Sequence, residues 1–299
     1  MTPTHVSIRE VALRDGLQIE QPIPLRAKLE LLAAIARTGV REVEVTSFVS
    51  PTKVPALADA AELAAELWRY PDIEFSALVA SPGGAARAVA TGLTSIEYVV
   101  CASDSFSAAN VGRPTEQAVA AIADIAGIAH DAGASVEVII ATAWDCPFDG
   151  PTPPDRVTDI AGKASAFGVD RLAIADTIGT TTPRRVDELI AAVQPLLGDI
   201  PLGAHFHNTR GAGLACAYAA VGAGVTRLDA SAGGLGGCPF APGATGNIAT
   251  EDLVYLLGDC GLDTGIDLQA AIAAADVASS VVGHGLPSAL LAAGDRKRN

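Results

Sequence analysis

Short runs of β-branched and other apolar residues alternate with longer alanine- and leucine-rich stretches from one end of the chain to the other. HVSIRE (5–10), REVEVTS (41–47), IEFSALV (73–79), SIEYVVC (95–101), SVEVIIAT (135–142), VDRLAIAD (169–176), LGAHFH (202–207) and VTRLDAS (225–231) have the length and residue type of buried strands. The stretches between them carry helix punctuation. PLRAKLELLAAIARTG opens at Pro24 and closes at Gly39, while TPPDRVTDIAGKASAFG and TPRRVDELIAAVQPLLG start on Thr-Pro and end on Gly. Proline suits a helix start, where its missing N–H has no partner to lose, and glycine accepts the left-handed turn that ends a helix. Strand–helix alternation predicts a parallel sheet, because parallel neighbours need a crossover. Eight such units in series predict an α/β fold, the (β/α)8 TIM barrel, with a doubly wound sheet as the alternative that periodicity leaves open. No linker composition divides the 299 residues, so the chain (1–299) reads as one domain: a barrel over about 5–261 and a helical extension over about 262–293.

Composition narrows the chemistry. Hydrophobic residues make up 49% and aromatics only 4%, so the core must be built from Ala, Val, Leu and Ile. A formal charge of −14 argues against nucleic acid or an anionic membrane as partner, since both are held mainly by Lys and Arg. It leaves room for a small anionic substrate met by one or two local cations. No apolar run has the ~18 residues of a spanning helix, and MTPTHVSIREVALRDG carries no signal-peptide pattern. Cys101, Cys146, Cys216, Cys238 and Cys260 are scattered with no CxxC pair, which predicts a reducing cytoplasm rather than a disulfide framework.

Polar residues collect at the C-terminal ends of the predicted strands, where barrels of this kind place their active sites. Arg14 and Asp15 follow the first strand; Glu44, Thr46 and Ser47 close the second; Asp176 ends the sixth; His205 and His207 lie on the seventh. Residues two apart on a strand share a face, so HFH (205–207) presents two imidazoles together. By itself the pair is equally a polar strand end; with Asp15 from another strand it predicts a divalent metal site. Asn247 offers an amide oxygen. Arg14 is either a cation for a carbonyl oxygen gaining charge or a rim salt bridge to Asp15 or Glu44. Asp176 is read as a catalytic group, a helix cap or a partner orienting a ligand. Cys238 sits in GGLGGCPFAPGATGN (233–247), flanked by Gly237 and Pro239 with little bulk to pack against. That setting suits a thiol acting as proton donor on a hinged loop, whereas Cys101, Cys146, Cys216 and Cys260 read as packing residues.

RDGLQ (14–18), EVTSFVSPTKVP (44–55), CPFDG (146–150), DTIG (176–179), HFHNTRG (205–211) and GGLGGCPFAPGATGNIATEDLVYLL (233–257) together resemble the 3-hydroxy-3-methylglutaryl-CoA lyase family of the metal-dependent barrel lyases, the DRE-TIM metallolyases. The resemblance implies Mg2+ or Mn2+ held by Asp15, His205, His207 and Asn247. It implies Arg14 at the thioester carbonyl, Glu44 organising the Arg14 region, and Cys238 as the loop thiol. It implies retro-Claisen cleavage of an acyl-CoA by a homodimer. Thr46 and Ser47 are expected to contact substrate. So is Arg210, because HFHNTRG carries Asn208 and Arg210 where the lyases usually have Asp-Thr-Tyr-Gly. Related lyases on citramalyl-CoA, and condensing acyltransferases or aldolases on a 2-oxo acid, are the alternatives; the Cys238 loop argues against the condensing enzymes. Cys238→Ser is expected to cut turnover far more than substrate affinity, since a hydroxyl is a much poorer acid than a thiol. Steady-state kinetics with wild-type turnover in that variant would return Cys238 to a packing role.

Overall fold

The computed structural model describes residues 4–237 and 246–296 of the chain. Eight parallel strands form the barrel: β1 (Ser7–Glu10), β2 (Glu42–Ser47), β3 (Glu74–Val79), β4 (Ser95–Cys101), β5 (Ser135–Ala141), β6 (Arg171–Asp176), β7 (Leu202–Phe206) and β8 (Arg227–Ala230). Pairing of β1 with β8, from Ser7↔Arg227 to Glu10↔Ala230, closes the sheet and excludes the doubly wound alternative. The helix punctuation is as expected. Helices Leu25–Ala36, Pro154–Ala166 and Pro183–Val193 follow or start on the prolines, and Gly39, Gly168 and Gly198 turn at positive φ beyond their ends. Beyond the eighth unit, helix Leu268–Val282 packs on helix Leu25–Ala36 and on the Ala232–Gly234 turn. Among the described residues no helix is long and apolar enough to cross a membrane.

The strands divide their faces unusually. Ile8, Val43, Val45, Ile96, Val138 and Leu228 belong to the main apolar core, shared with the helices outside the barrel. The alternate positions face the lumen, and there the strands carry charge. Arg9 on β1 donates to both carboxylate oxygens of Asp229 on β8, at 2.9 and 2.7 Å. Its Nη1 also reaches Glu137 on β5 at 2.5 Å and Glu97 on β4 at 2.7 Å. β1 is adjacent to neither β4 nor β5, so those last two bonds cross the barrel. Arg227 on β8 donates to the other oxygen of Glu137. Space for it comes from Gly203 on β7: a Cβ there would lie 2.7 Å from the Arg227 Nη2. Above this layer lie two small apolar clusters, Ile139, Ala173 and Ala175 with Val99 against them, and one that includes Cys101 and Ala141.

Removing one partner from a buried ion network leaves the others charged and unsolvated. Arg9→Leu is therefore expected to lower unfolding free energy by about 3–5 kcal/mol, read by urea denaturation. A loss below about 1 kcal/mol, the worth of a surface pair, would mean that water solvates the carboxylates in the lumen.

Candidate active site

The first segment of the site is a single π-turn, Ala12–Gly16, directly after β1. Its wide turn, with Gly16 N–H donating to Val11 O at 3.1 Å, buries both Arg14 and Asp15 at the mouth of the barrel. Such turns are uncommon and gather at functional sites. Arg14 donates through Nη1 to Asp15 at 2.6 Å, and its Nε lies 2.5 Å from Glu44 of β2. Of the two readings of Arg14 the structure shows the salt bridge, made to both Asp15 and Glu44 by a buried guanidinium at the mouth. Burial alone would raise the Asp15 carboxyl, but Arg14 and the two imidazoles hold it far below the usual carboxylate range. Glu44 goes the other way: burial pushes it well up, and Glu97 beside it outweighs part of what Arg14 takes back.

β7 supplies the imidazoles. His205 and His207 stand with ring centroids 5.1 Å apart, and their ligand atoms gather with a carboxylate oxygen of Asp15 within 4.8 Å of one another. His205 Nδ1 is bound to Asp229 at 3.1 Å, which leaves Nε2 for a metal. This carboxylate–histidine arrangement fixes the tautomer and raises the basicity of a ligand. Asn247, forty residues further on, is brought beside His207 by backbone pairing of 207 with 247. Its Nδ2 donates to Asp15 at 2.9 Å and to Leu235 O at 3.0 Å, so Oδ1 is left buried without a partner. Unpartnered buried oxygens are costly and call for an explanation. Two imidazoles, a carboxylate and an amide oxygen suit a divalent cation.

The glycine-rich stretch enters this site by its neck. Gly236, at φ +128°, lies so close that a Cβ would stand 2.6 Å from Asn247 Nδ2. A Cβ on Gly246 would collide with the Gly236 carbonyl. Gly236 and Gly246 therefore meet backbone to backbone beside Asp15 and Asn247. Cys238 lies outside the described residues.

Thr46 and Ser47 are buried after a register shift in β2 between Glu44 and Thr46, and both hydroxyls lack a protein partner. Asp176 accepts the N–H groups of Thr180 and Thr181 at 3.1 and 2.9 Å, holding the loop after β6 rather than capping a helix. Burial raises its carboxyl. Arg210 is exposed at the rim, with Nη1 donated to the carbonyls of Ile178 and Gly179 at 2.9 and 3.2 Å. Cys101, Cys146 and Cys216 pack in the interior as expected, but Cys260 does not. It follows the last turn of helix Thr250–Asp259 and faces solvent. Sequence reasoning missed Arg9, Glu97, Glu137, Arg227 and Asp229. Glu97 and Glu137 are each a lone charge within an otherwise apolar strand, and Arg9, Arg227 and Asp229 are charges at alternate, lumen-facing positions of short strands, which is the signal that would have found them.

A sequence profile of the HMGL-like family matches residues 5–278. The chain belongs to the HMGL-like family. It is 39% identical over 300 residues to an (R)-citramalyl-CoA lyase of Chloroflexus aurantiacus, covering 97% of this chain and 95% of that one. It is 36% identical over 275 residues to a cytoplasmic 3-hydroxy-3-methylglutaryl-CoA lyase of Rattus norvegicus, covering 92% and 80%. Among solved structures, an HMG-CoA lyase of Acinetobacter baumannii in complex with coenzyme A and 3-methylmalate superposes with a TM-score of 0.95 at 36% identity, covering 100% and 99%. This HMGL-like chain thus keeps the fold of its relatives across nearly its whole length. His207→Ala, which removes one of the clustered nitrogens, is expected to abolish activity and metal retention together. Elemental analysis of the purified variant, beside its turnover, checks this; retention of both would remove His207 from the site.

Proposed function

We propose that this chain catalyses divalent-metal-dependent retro-Claisen cleavage of 3-hydroxy-3-methylglutaryl-CoA, or of a closely related branched 3-hydroxyacyl-CoA, to acetyl-CoA and an oxo acid such as acetoacetate. The observation that carries this reading is the convergence of Asp15, His205, His207 and the unpartnered Asn247 oxygen beside a buried Arg14, in a chain of the HMGL-like family. Mg2+ or Mn2+ held by those four residues would supply Lewis-acid polarisation of substrate oxygens.

The chain's own groups do the rest. Asp229 fixes His205 in one tautomer, so that its Nε2 stays directed at the site. Arg14, always charged, stabilises the negative charge that gathers on the thioester oxygen as the carbon–carbon bond breaks. Glu44 holds Arg14 from behind. A base at the site takes the proton of the tertiary hydroxyl as the carbon–carbon bond breaks, and Cys238 or a histidine returns a proton to the enolate carbon, a role that suits a thiol tuned by its surroundings. The hydroxyls of Thr46 and Ser47, buried without protein partners, are the donors we assign to substrate. Asp176 acts by positioning, since its carboxylate is engaged with the loop after β6. Arg210 biases the rim towards an additional acidic group. The same reading makes the enzyme a homodimer of the cytoplasm working on a small acyl-CoA, with no nucleic-acid or membrane partner.

A second substrate is favoured by one comparison: the citramalyl-CoA lyase is 39% identical over nearly its full length. That substrate would break by the same route, giving acetyl-CoA and pyruvate. The test is cleavage of each thioester by metal-stripped protein, with Mg2+ or Mn2+ returned. Metal-dependent release of acetyl-CoA with acetoacetate, or with pyruvate, is expected and identifies the substrate. Cleavage that survives metal removal, or none of either by folded, metal-loaded protein, would overturn the proposal.

A further inference from the structure

Glu10 is the last residue of β1, next to Arg9 and therefore on the opposite face of the strand, turned away from the lumen. It is 2% exposed, yet it takes no part in the lumen network. Instead its carboxylate joins three segments that are distant in sequence. Oε1 accepts the N–H of Ala12 at 2.9 Å and that of Ala232, also at 2.9 Å. Oε2 accepts the Thr250 hydroxyl at 2.6 Å. Ala12 opens the π-turn that carries Arg14 and Asp15. Ala232 opens the turn that leads through Leu235 to the Gly236 neck. Thr250 opens helix Thr250–Asp259, three residues after Asn247.

Other bonds tie these segments in pairs. Val11 N–H donates to Ala230 O at 2.9 Å, and Ser231 and Ile248 are joined at 3.1 Å. Glu10 is where all three meet. Two amides from different segments share one oxygen atom, which fixes the π-turn against the root of the glycine-rich loop more tightly than either could be fixed by its own strand. The Asp15–Asn247 hydrogen bond of 2.9 Å, between two of the proposed metal ligands, lies downstream of this tie on both sides. Burial raises the Glu10 carboxyl to about 7.

We propose that Glu10 is a positioning residue of the active site: by joining Ala12, Ala232 and Thr250 it sets the distance between Asp15 and Asn247, and so the affinity of the site for its divalent cation. The inference rests on the metal-site reading above, and its test is read on the metal itself, without substrate.

Two conservative variants separate reach from charge. Glu10→Gln keeps the length: its amide oxygen accepts both N–H groups and its NH2 donates to the Thr250 hydroxyl. Glu10→Asp keeps the charge but is one methylene too short to serve all three partners. Calorimetric titration of the full chain with Mn2+ is expected to give Glu10→Gln within about threefold of the wild-type Kd and Glu10→Asp at least about tenfold weaker, the range for residues that orient ligands from behind. With an active thioester, Glu10→Asp should also lower kcat by about 30-fold while KM stays within about threefold, as misplacement of reacting groups does. Wild-type Mn2+ affinity in Glu10→Asp, or an equal loss in Glu10→Gln, would overturn the proposal. Should Glu10→Asp fail to fold, Thr250→Val withdraws the hydroxyl from Oε2, and an unchanged Mn2+ affinity there overturns it equally. Wild-type protein that binds Mn2+ but cleaves neither thioester would sink the proposed reaction and leave this ordering of affinities intact.

Discussion

A guanidinium in the middle of a closed barrel must be neutralised by groups that are themselves enclosed, and Arg9 meets this condition with Asp229, Glu137 and Glu97 from three other strands. Each of those carboxylates must in turn be satisfied. Glu137 takes Arg227, which can reach across only because β7 has Gly203 at that level. Asp229 takes His205. Desolvation makes every unpaired member of such a set expensive, so the identity of one residue propagates to the next. The chain of consequence runs from Arg9 through Asp229 to an imidazole of the proposed metal site, over two hydrogen-bonded steps.

This arrangement separates two tasks that most barrels combine. Cohesion comes from the outer faces of the strands, where aliphatic side chains pack against the helices. The lumen contributes little apolar burial and instead holds orientation: its ion pairs have few alternative geometries in a dry interior. Asp15, drawn far down by Arg14 and the histidines, stays ionised, while Glu44 is pushed the other way by burial and by Glu97. Environment thus assigns opposite protonation tendencies to two carboxyl groups that both touch one arginine.

Much of this was legible in the sequence, for physical reasons. Strand and helix follow local periodicity, and the eight runs read from the sequence lie over the eight barrel strands. His205 and His207 needed only the two-residue repeat of a strand, and Asp15 only its place after one. The contribution of Asn247 is tertiary: its approach to His207 depends on a backbone pairing forty residues apart, and its free amide oxygen on where Leu235 and Asp15 stand. Glu97 and Glu137 were visible as lone interruptions of apolar strands, but the partners of all the lumen charges are set by barrel closure, which no local pattern encodes. Cys260 was misread because residue type gives the average burial of a cysteine, not the side of a helix end on which it falls.

The contact between Gly236 and Gly246 has a further meaning for how such a site can change. The chain on the two sides of residues 238–245 meets at one backbone junction, Gly236 against Gly246, beside Asp15 and Asn247. Changes of sequence or length between those two glycines need not alter Asp15, Asn247 or Leu235. Evolution can therefore vary residues 238–245 independently of the carboxylate and the amide that flank the junction. A family with one metal chemistry and several acyl-CoA substrates is what such a modular joint permits.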